Sequence, residues 1–97
     1  MLYVVRFEDE PDRAVMRERH MEDHLRFLDR HRGRIQAAGP LHDVEADRPA
    51  GGLWLVDAPD VETVRALVEE DPFWPTGLRR SVRILAWRQV FVAAAGA

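Results

Sequence analysis

The sequence predicts an α+β domain of four strands and two helices, and three observations support this fold class. Four short segments are rich in β-branched and aromatic residues, which favour strands. Two further segments repeat apolar residues at the three- and four-residue spacing of a helix. The segments follow one another in the order βαββαβ. This is the ferredoxin-like order, in which both helices pack on one face of an antiparallel sheet.

The composition is that of one folded domain over residues 1–97. The 97 residues are 46% hydrophobic and 32% charged, and the formal net charge is -3 with both signs mixed along the chain. This mixture gives no electrostatic footprint for nucleic acid. No apolar run approaches the roughly 20 residues of a membrane helix, so we expect no membrane partner. The small apolar residues 93–97 are expected to form a frayed tail.

The residue types also bear on the location of the protein and on its cofactors. The chain has no cysteine, which excludes disulfides, thiolate-bound metals and a cysteine nucleophile. This absence, with no signal peptide recognised at the start, favours a cytoplasmic location. Neither a Walker loop nor a glycine-rich dinucleotide motif occurs, so we expect no nucleotide cofactor.

The first strand and the first helix are predicted in the amino-terminal third. Residues 2–7 form the strand, and a helix should run from about Arg13 to Arg32. Asp12 is the expected N-cap, and Gly33 is the expected residue just past the helix end. The apolar stripe of this helix comprises Met21, Leu25 and Leu28, with Met16 and Phe27 beside them.

The middle of the chain predicts two strands joined by a long loop. Residues 34–41 form an extended segment, which Gly39 and Pro40 should bend or end. The polar residues 42–52 predict a hairpin loop. Residues 53–56 are almost continuously apolar, as expected of a short buried strand.

The last third predicts a second helix and a long final strand. Asp60 is the expected N-cap, and Asp71 should end the helix because a residue before proline disfavours helical backbone. The apolar stripe comprises Val61, Val64, Leu67 and Val68. Residues 73–75 form an aromatic corner, and residues 82–92 predict the final strand.

The final strand predicts a homodimer, because both of its faces are largely apolar. One face carries Val82, Ile84, Ala86, Val90 and Val92, and the other carries Leu85, Trp87 and Phe91. A sheet open to water on one side should alternate apolar and polar residues. A large exposed apolar face usually marks an interface, so we expect two copies to pack their open sheet faces together. The alternative is a monomer whose long loop covers the sheet.

The pair His20 and His24 raises the possibility of a metal site. On a helix, both imidazoles lie on one face, as in zinc-binding pairs of metalloproteases. In the zinc peptidase pattern Glu follows the first histidine, but here Met21 does. A third ligand is also required, and His31 is the remaining histidine near enough to share the face. We therefore predict no metal.

Several short motifs together resemble the YciI-like, or YCII-related, family of dimeric α+β barrel proteins. They are Met1–Val5, His24–Leu25, Ala38–Leu41, Gly51–Gly52 and Glu69–Phe73, and the likeness spans residues 1 to about 92. The resemblance implies a ferredoxin-like subunit and a dimer built on the sheet faces.

The resemblance also implies a His–Asp pair, which maps onto His24 and Asp71, in a pocket between the sheet and the helices. Related barrels include enzymes similar to muconolactone isomerase, monooxygenases and a dehydrochlorinase of a hydroxylated aromatic ring. We therefore expect a cofactor-independent lyase or isomerase that acts on a small aromatic or carbonyl-containing metabolite. His24 would be the general base, and Asp71 would orient it. The alternatives are a non-catalytic small-molecule binding or accessory subunit with the same pocket, and a purely structural module.

Other residues are candidates for binding the substrate. The substrate-binding set is Tyr3, Gly39, Pro40, Phe73 and Trp74. Packing in the core is the alternative role for the aromatic members. Arg79 or Arg80 could clamp a substrate carboxylate, although a position on the surface is the favoured prediction for both.

Overall fold

The computed structural model describes residues 1–93 and has the predicted order of elements. The elements are β1 (Leu2–Asp9), α1 (Val15–Arg30), β2 (Ile35–Asp43), β3 (Arg48–Asp57), α2 (Val61–Glu70) and β4 (Arg79–Ala86). The strands form one antiparallel sheet in the order β2-β3-β1-β4, which confirms the ferredoxin-like fold. Of the predicted frayed tail, residues 94–97 lie outside the described residues. No helix within residues 1–93 is long and apolar enough to span a membrane.

The hydrophobic core lies between one face of the sheet and the two helices. Val5 is fully buried on β1, where it pairs with Trp54 on β3 and Ile84 on β4. Successive side chains of a strand point to opposite faces, so the neighbours of Val5 along β1 face away from the helices. The buried cluster comprises Tyr3, Val5, Phe7, Phe27, Ile35, Trp54, Val56, Ala58, Val64, Leu67 and Val68.

Helix α1 differs from its prediction at both ends. Pro11–Arg13 form a separate 3₁₀ turn, and the residue before α1, Ala14, already has helical backbone. A capping side chain needs an extended residue at that position, so the prediction that Asp12 caps the helix is wrong. At the other end, α1 ends at Arg30. The φ of Gly33 is not positive, so the prediction that Gly33 terminates the helix is wrong. The chain turns there because the N–H groups of residues 34 and 35 donate to the carbonyl of residue 31.

The buried face of α1 also differs from the predicted stripe. His24 and Phe27 are the buried residues of this helix, whereas Leu25 is 55% exposed. The prediction that Leu25 belongs to the core stripe is therefore wrong. The side of α1 that faces the sheet contains His24. A search for periodic apolar residues does not count a histidine, so it missed this face.

The hairpin between β2 and β3 is tighter than predicted. The strands continue to Asp43 and resume at Arg48, so the loop spans residues 44–47 instead of the predicted 42–52. The Asp43 carboxylate accepts the N–H groups of residues 45 and 46, which is a stable way to start such a turn. Pro40 bends β2 at a shift of register without ending it, because an edge strand tolerates proline.

Helix α2 matches its prediction. The Asp60 carboxylate accepts the N–H of Thr63 at 2.8 Å, and the helix ends where Asp71 becomes extended before proline. The strand β4 differs. It begins at Arg79 and ends at Ala86, which pairs with Tyr3 near the start of β1. The predicted strand over residues 82–92 is wrong at its far end. Beyond the pair Tyr3–Ala86, the N–H of Trp87 donates to the Leu2 carbonyl at 2.9 Å, and β1 begins at that residue, so the pairing ends there.

Candidate functional site

A cavity of about 120 Å³ lies between α1 and the sheet. An engineered cavity of about 150 Å³ admits benzene, so the space is of the order of one small ring. Its wall consists of residues from α1 and all four strands: Phe7, Arg17, Met21, His24, Leu25, Leu28, Ala38, Gly39, Pro40, Gly52, Trp54 and Arg79. Apolar and aromatic side chains and bare backbone therefore form most of the wall.

His24 and Asp71 meet at the cavity. The Nδ1 atom of His24 lies 2.8 Å from Oδ1 of Asp71, although 47 residues separate them in the chain. Helix α1 supplies the histidine from its buried face, and the C-cap of α2 supplies the aspartate. Asp71 is fully buried, and its Oδ1 also accepts the N–H of Phe73 at 3.1 Å. The imidazole stacks on the Phe73 ring, with the centroids 4.1 Å apart.

The hydrogen bond fixes the tautomer of His24. A carboxylate only accepts hydrogen bonds, so Nδ1 carries the proton and its N–H donates a hydrogen bond to Asp71. The other ring nitrogen, Nε2, then carries a lone pair in the neutral imidazole, and it has no protein partner among residues 1–93. The ring is thus oriented as a proton acceptor at the cavity wall.

Arg79 completes the cluster from the first position of β4. Its Nη2 atom lies 2.7 Å from Oδ2 of Asp71, and its side chain is only 4% exposed. The guanidinium lies over the Phe7 ring at 3.7 Å and near the Trp54 ring at 5.2 Å. The predicted surface position of Arg79 is therefore wrong, whereas Arg80 is exposed as expected.

The cluster keeps Asp71 ionised. Burial alone would raise the pKa of Asp71, but the hydrogen bond from His24, the charge of Arg79 and the Phe73 N–H together lower this pKa below its ordinary value. Burial also lowers the pKa of Arg79, against the opposing effect of Asp71. A guanidinium nevertheless stays protonated in proteins. His24 therefore faces a carboxylate whose charge Arg79 already balances.

A second arginine, Arg17, borders the cavity from α1. Its guanidinium pairs with the Asp9 carboxylate and lies 5.4 Å from the centre of the Phe73 ring. Sequence reasoning missed this residue, because charged positions on a helix are ordinarily assigned to solvent. Helical spacing would have found it, since Arg17, Met21 and His24 are separated by four and three residues and share a face.

The structure brings only some of the predicted binding residues to the cavity. Gly39 and Pro40 line it, and Phe73 packs against His24. Tyr3 lies in the core, and Trp74 is 43% exposed, so neither belongs to the cavity wall. Within residues 1–93, no three histidine or acidic side chains converge as metal ligands would.

A family model and solved structures relate the chain to known proteins. The family model of the YCII-related domain matches residues 1–88. Similar solved structures include 5-chloro-2-hydroxyhydroquinone dehydrochlorinase from Burkholderia phenoliruptrix AC1100, in complex with 2,5-dihydroxybenzoquinone. The two chains are 26% identical with a TM-score of 0.79, over 91% of this chain and 94% of the other.

A more distant structure supports the fold alone. It is a protein from Bacteroides thetaiotaomicron VPI-5482 assigned to the antibiotic biosynthesis monooxygenases. It is 11% identical with a TM-score of 0.57, over 94% of this chain and 90% of the other. No curated protein matches the chain by sequence.

Proposed function

The chain belongs to the YCII-related domain family, and on this basis we propose that it is a cofactor-independent lyase or isomerase for a small aromatic or carbonyl-containing molecule. The observation that carries the proposal is the 2.8 Å contact between His24 and Asp71 at the wall of a cavity. Titratable residues arranged around a pocket, with one orienting the other, are typical of acid–base sites.

His24 acts as the general base in this proposal. Its Nε2 accepts a proton from a ring hydroxyl, or from a carbon next to a carbonyl, and the bonding electron pair stays on the substrate as a phenolate or enolate. In an isomerase, the imidazolium returns the proton to a different carbon. In a lyase, the electron pair of the enolate expels a leaving group such as chloride from an adjacent tetrahedral carbon, and the chloride departs with its own bonding pair. A chlorinated hydroxylated ring reaches this form as a keto tautomer, in which a hydroxyl proton has moved to the carbon that carries the chlorine. Asp71 holds the ring and stabilises the imidazolium throughout.

The similarity to the dehydrochlorinase supports a hydroxylated ring as the substrate class. That protein acts on 5-chloro-2-hydroxyhydroquinone, and its chain aligns with almost all of this one at 26% identity. The cavity of about 120 Å³ is of the right order for a single ring. The wall around such a ring is largely apolar, with Met21, Leu25, Leu28 and Pro40 among its members.

We further propose that the protein works as a homodimer through the open face of the sheet. Val4 on β1 points to the open face of the sheet, because it lies between the core residues Tyr3 and Val5. It pairs with Leu55 on β3 and Leu85 on β4. None of these three side chains is buried, and Leu85 is 40% exposed. A contiguous apolar patch on a sheet face is best explained by a partner that covers it.

Proton transfer is the test of the proposed activity. The protein would be incubated in D₂O with 5-chloro-2-hydroxyhydroquinone and a panel of hydroxylated rings and small ketones. Chloride release and incorporation of deuterium into the substrate would be followed by NMR. We expect His24→Gln to lower the rate by about 10²–10⁴-fold. His20→Gln is the matched control, because His20 lies one turn earlier on α1 and does not line the cavity.

Each outcome separates the proposed activity from its alternative. A reaction that persists in His24→Gln would rule out His24 as the base. Saturable binding of ring compounds with no proton transfer in the wild type would instead favour the non-catalytic binding or accessory subunit.

A further inference from the structure

The titratable side chains that line the cavity are all basic. They are Arg17, His24 and Arg79, and no acidic residue within residues 1–93 is part of the wall. The acids of the cluster, Asp9 and Asp71, lie behind these groups and each contacts one guanidinium. The cavity thus presents two guanidinium groups, each paired with a carboxylate behind it, and one imidazole to whatever occupies it.

Arg79 has donors that the protein leaves unused. Its Nη2 contacts Asp71, but Nε and Nη1 are buried and make no hydrogen bond within residues 1–93. Burying an N–H without an acceptor is unfavourable, and more so when the group is charged. Aromatic rings cover the guanidinium, with Phe7 at 3.7 Å, and rings are weak acceptors. An oxygen in the cavity beside Arg79 would relieve this cost once a small shift of the covering side chains lets it reach these nitrogens.

Arg17 adds a second charge nearby. Burial is the main reason that the pKa of Arg79 is lowered, and the positive charge of Arg17 lowers it further. Geometry agrees, because both guanidinium groups line the cavity and lie near the Phe73 ring, at 5.4 Å for Arg17 and 5.5 Å for Arg79, so their charges repel each other. Asp9 takes one N–H of Arg17, and the remaining N–H groups have no partner among the described residues. An anion that contacts both arginines would turn this repulsion into attraction.

We infer that the ligand of this cavity is a planar oxyanion, such as an ionised hydroxyquinone, a phenolate or an aryl carboxylate. Its charged oxygen is bound by Arg17 and Arg79, and its ring lies against the apolar side chains of the wall, which include Met21 and Leu25. This inference rests on the proposed function and narrows its substrate class from small aromatic or carbonyl compounds to anions. It also gives the arginines a role in the reaction, because they hold the negative charge that forms when His24 removes a proton.

Calorimetric binding of two ring compounds tests the inference. The first probe is 2,5-dihydroxybenzoquinone, which is a planar anion at neutral pH. The second is its uncharged dimethyl ether, 2,5-dimethoxybenzoquinone. We expect the anion to bind about tenfold more tightly than the ether. Its affinity should also fall as salt is raised from about 0.05 to about 0.5 M, because salt screens the attraction between the anion and the arginines. Arg17→Gln should weaken binding of the anion about tenfold and leave binding of the ether unchanged.

Two further variants make the assignment specific. Arg79→Lys keeps the charge but loses the planar donors, so it should also weaken binding of the anion. Arg80→Gln is the matched control, because Arg80 is exposed and does not line the cavity. Equal binding of both probes, no binding of either, or an effect of Arg80→Gln as large as that of Arg17→Gln would overturn the inference.

The same experiments distinguish this inference from the proposed activity. Loss of anion binding in Arg17→Gln, with no proton transfer by the wild type on any compound, would uphold the anion site and reject the enzyme. Proton transfer that depends on His24, with no preference for the anion over the ether, would uphold the enzyme and reject the anion site.

Discussion

Asp71 serves two neighbours at once. One oxygen accepts a hydrogen bond from the Nδ1–H of His24, and the other lies 2.7 Å from Nη2 of Arg79. The His–Asp pair was predictable from a family resemblance, because both residues belong to recognisable motifs. The buried position of Arg79 was not predictable, because it depends on a bulge between β1 and β4. A regular β4 would turn Arg80 to the side of Val82, but the register shift at Glu8–Asp9 turns Arg79 inward instead.

Replacing Asp71 by Asn should destabilise the protein and flatten its response to acid. The substitution leaves the buried charge of Arg79 without a counterion, which costs about 3–5 kcal/mol. The pKa of Asp71 is lowered in the folded protein, so its contribution is complete above the unfolded pKa of about 3.9 and is lost as the pH falls through the folded pKa. Urea unfolding at pH 3–7 should show the two proteins converging in stability at the acidic end.

Asp23→Asn is the control for this comparison. Asp23 pairs with Arg26 on the exposed side of α1, so its loss should change the free energy of unfolding by less than about 1 kcal/mol. Stability curves of wild type and Asp71→Asn that stay parallel from pH 7 to pH 3 would contradict the assigned role of the carboxylate.

The elements were predictable to different degrees, and the reason is local. Helix α2 carries its own signals, since Asp60 caps it and a proline follows Asp71, and both bounds were correct. Helix α1 lacks a side-chain cap, and its buried face passes through His24, so its start and its stripe were misjudged. The far end of β4 was wrong because strand length depends on the partner strand, which a local pattern does not contain.

Gly51 on β3 is required by the approach of the neighbouring strand. Its φ is +85°, and a Cβ atom there would lie 1.8 Å from the carbonyl oxygen of Phe7. We expect Gly51→Ala to lower the free energy of unfolding by about 2 kcal/mol or more, from the backbone conformation and from forced separation of β1 and β3. Gly33→Ala is the control, because a Cβ atom at Gly33 would meet no other atom within 4 Å, and it should change stability by about 1 kcal/mol at most. Equal effects in denaturant unfolding would contradict this account.

At the scale of the whole molecule, a 97-residue chain buries a small core and leaves an apolar sheet face open. A second copy would cover that face. We expect sedimentation to give a dimer for the wild type and a monomer for Leu85→Glu, because each dimer would bury two unpaired carboxylates. Val44→Glu, at an 86% exposed position in the β2–β3 loop, should remain a dimer. A wild type that sediments as a monomer would reject the homodimer.

The contact between Asp71 and Arg79 also has a consequence for local unfolding. It joins the two ends of the segment 72–78, so it closes this connection into a short loop. Inside the loop, Thr76 donates to the Phe73 carbonyl at 2.6 Å and accepts the N–H of Leu78 at 3.1 Å. The loop should therefore open as one cooperative unit. Each opening would part His24 from its carboxylate, so amide hydrogen exchange at Phe73 would report how often the site comes apart in the native protein.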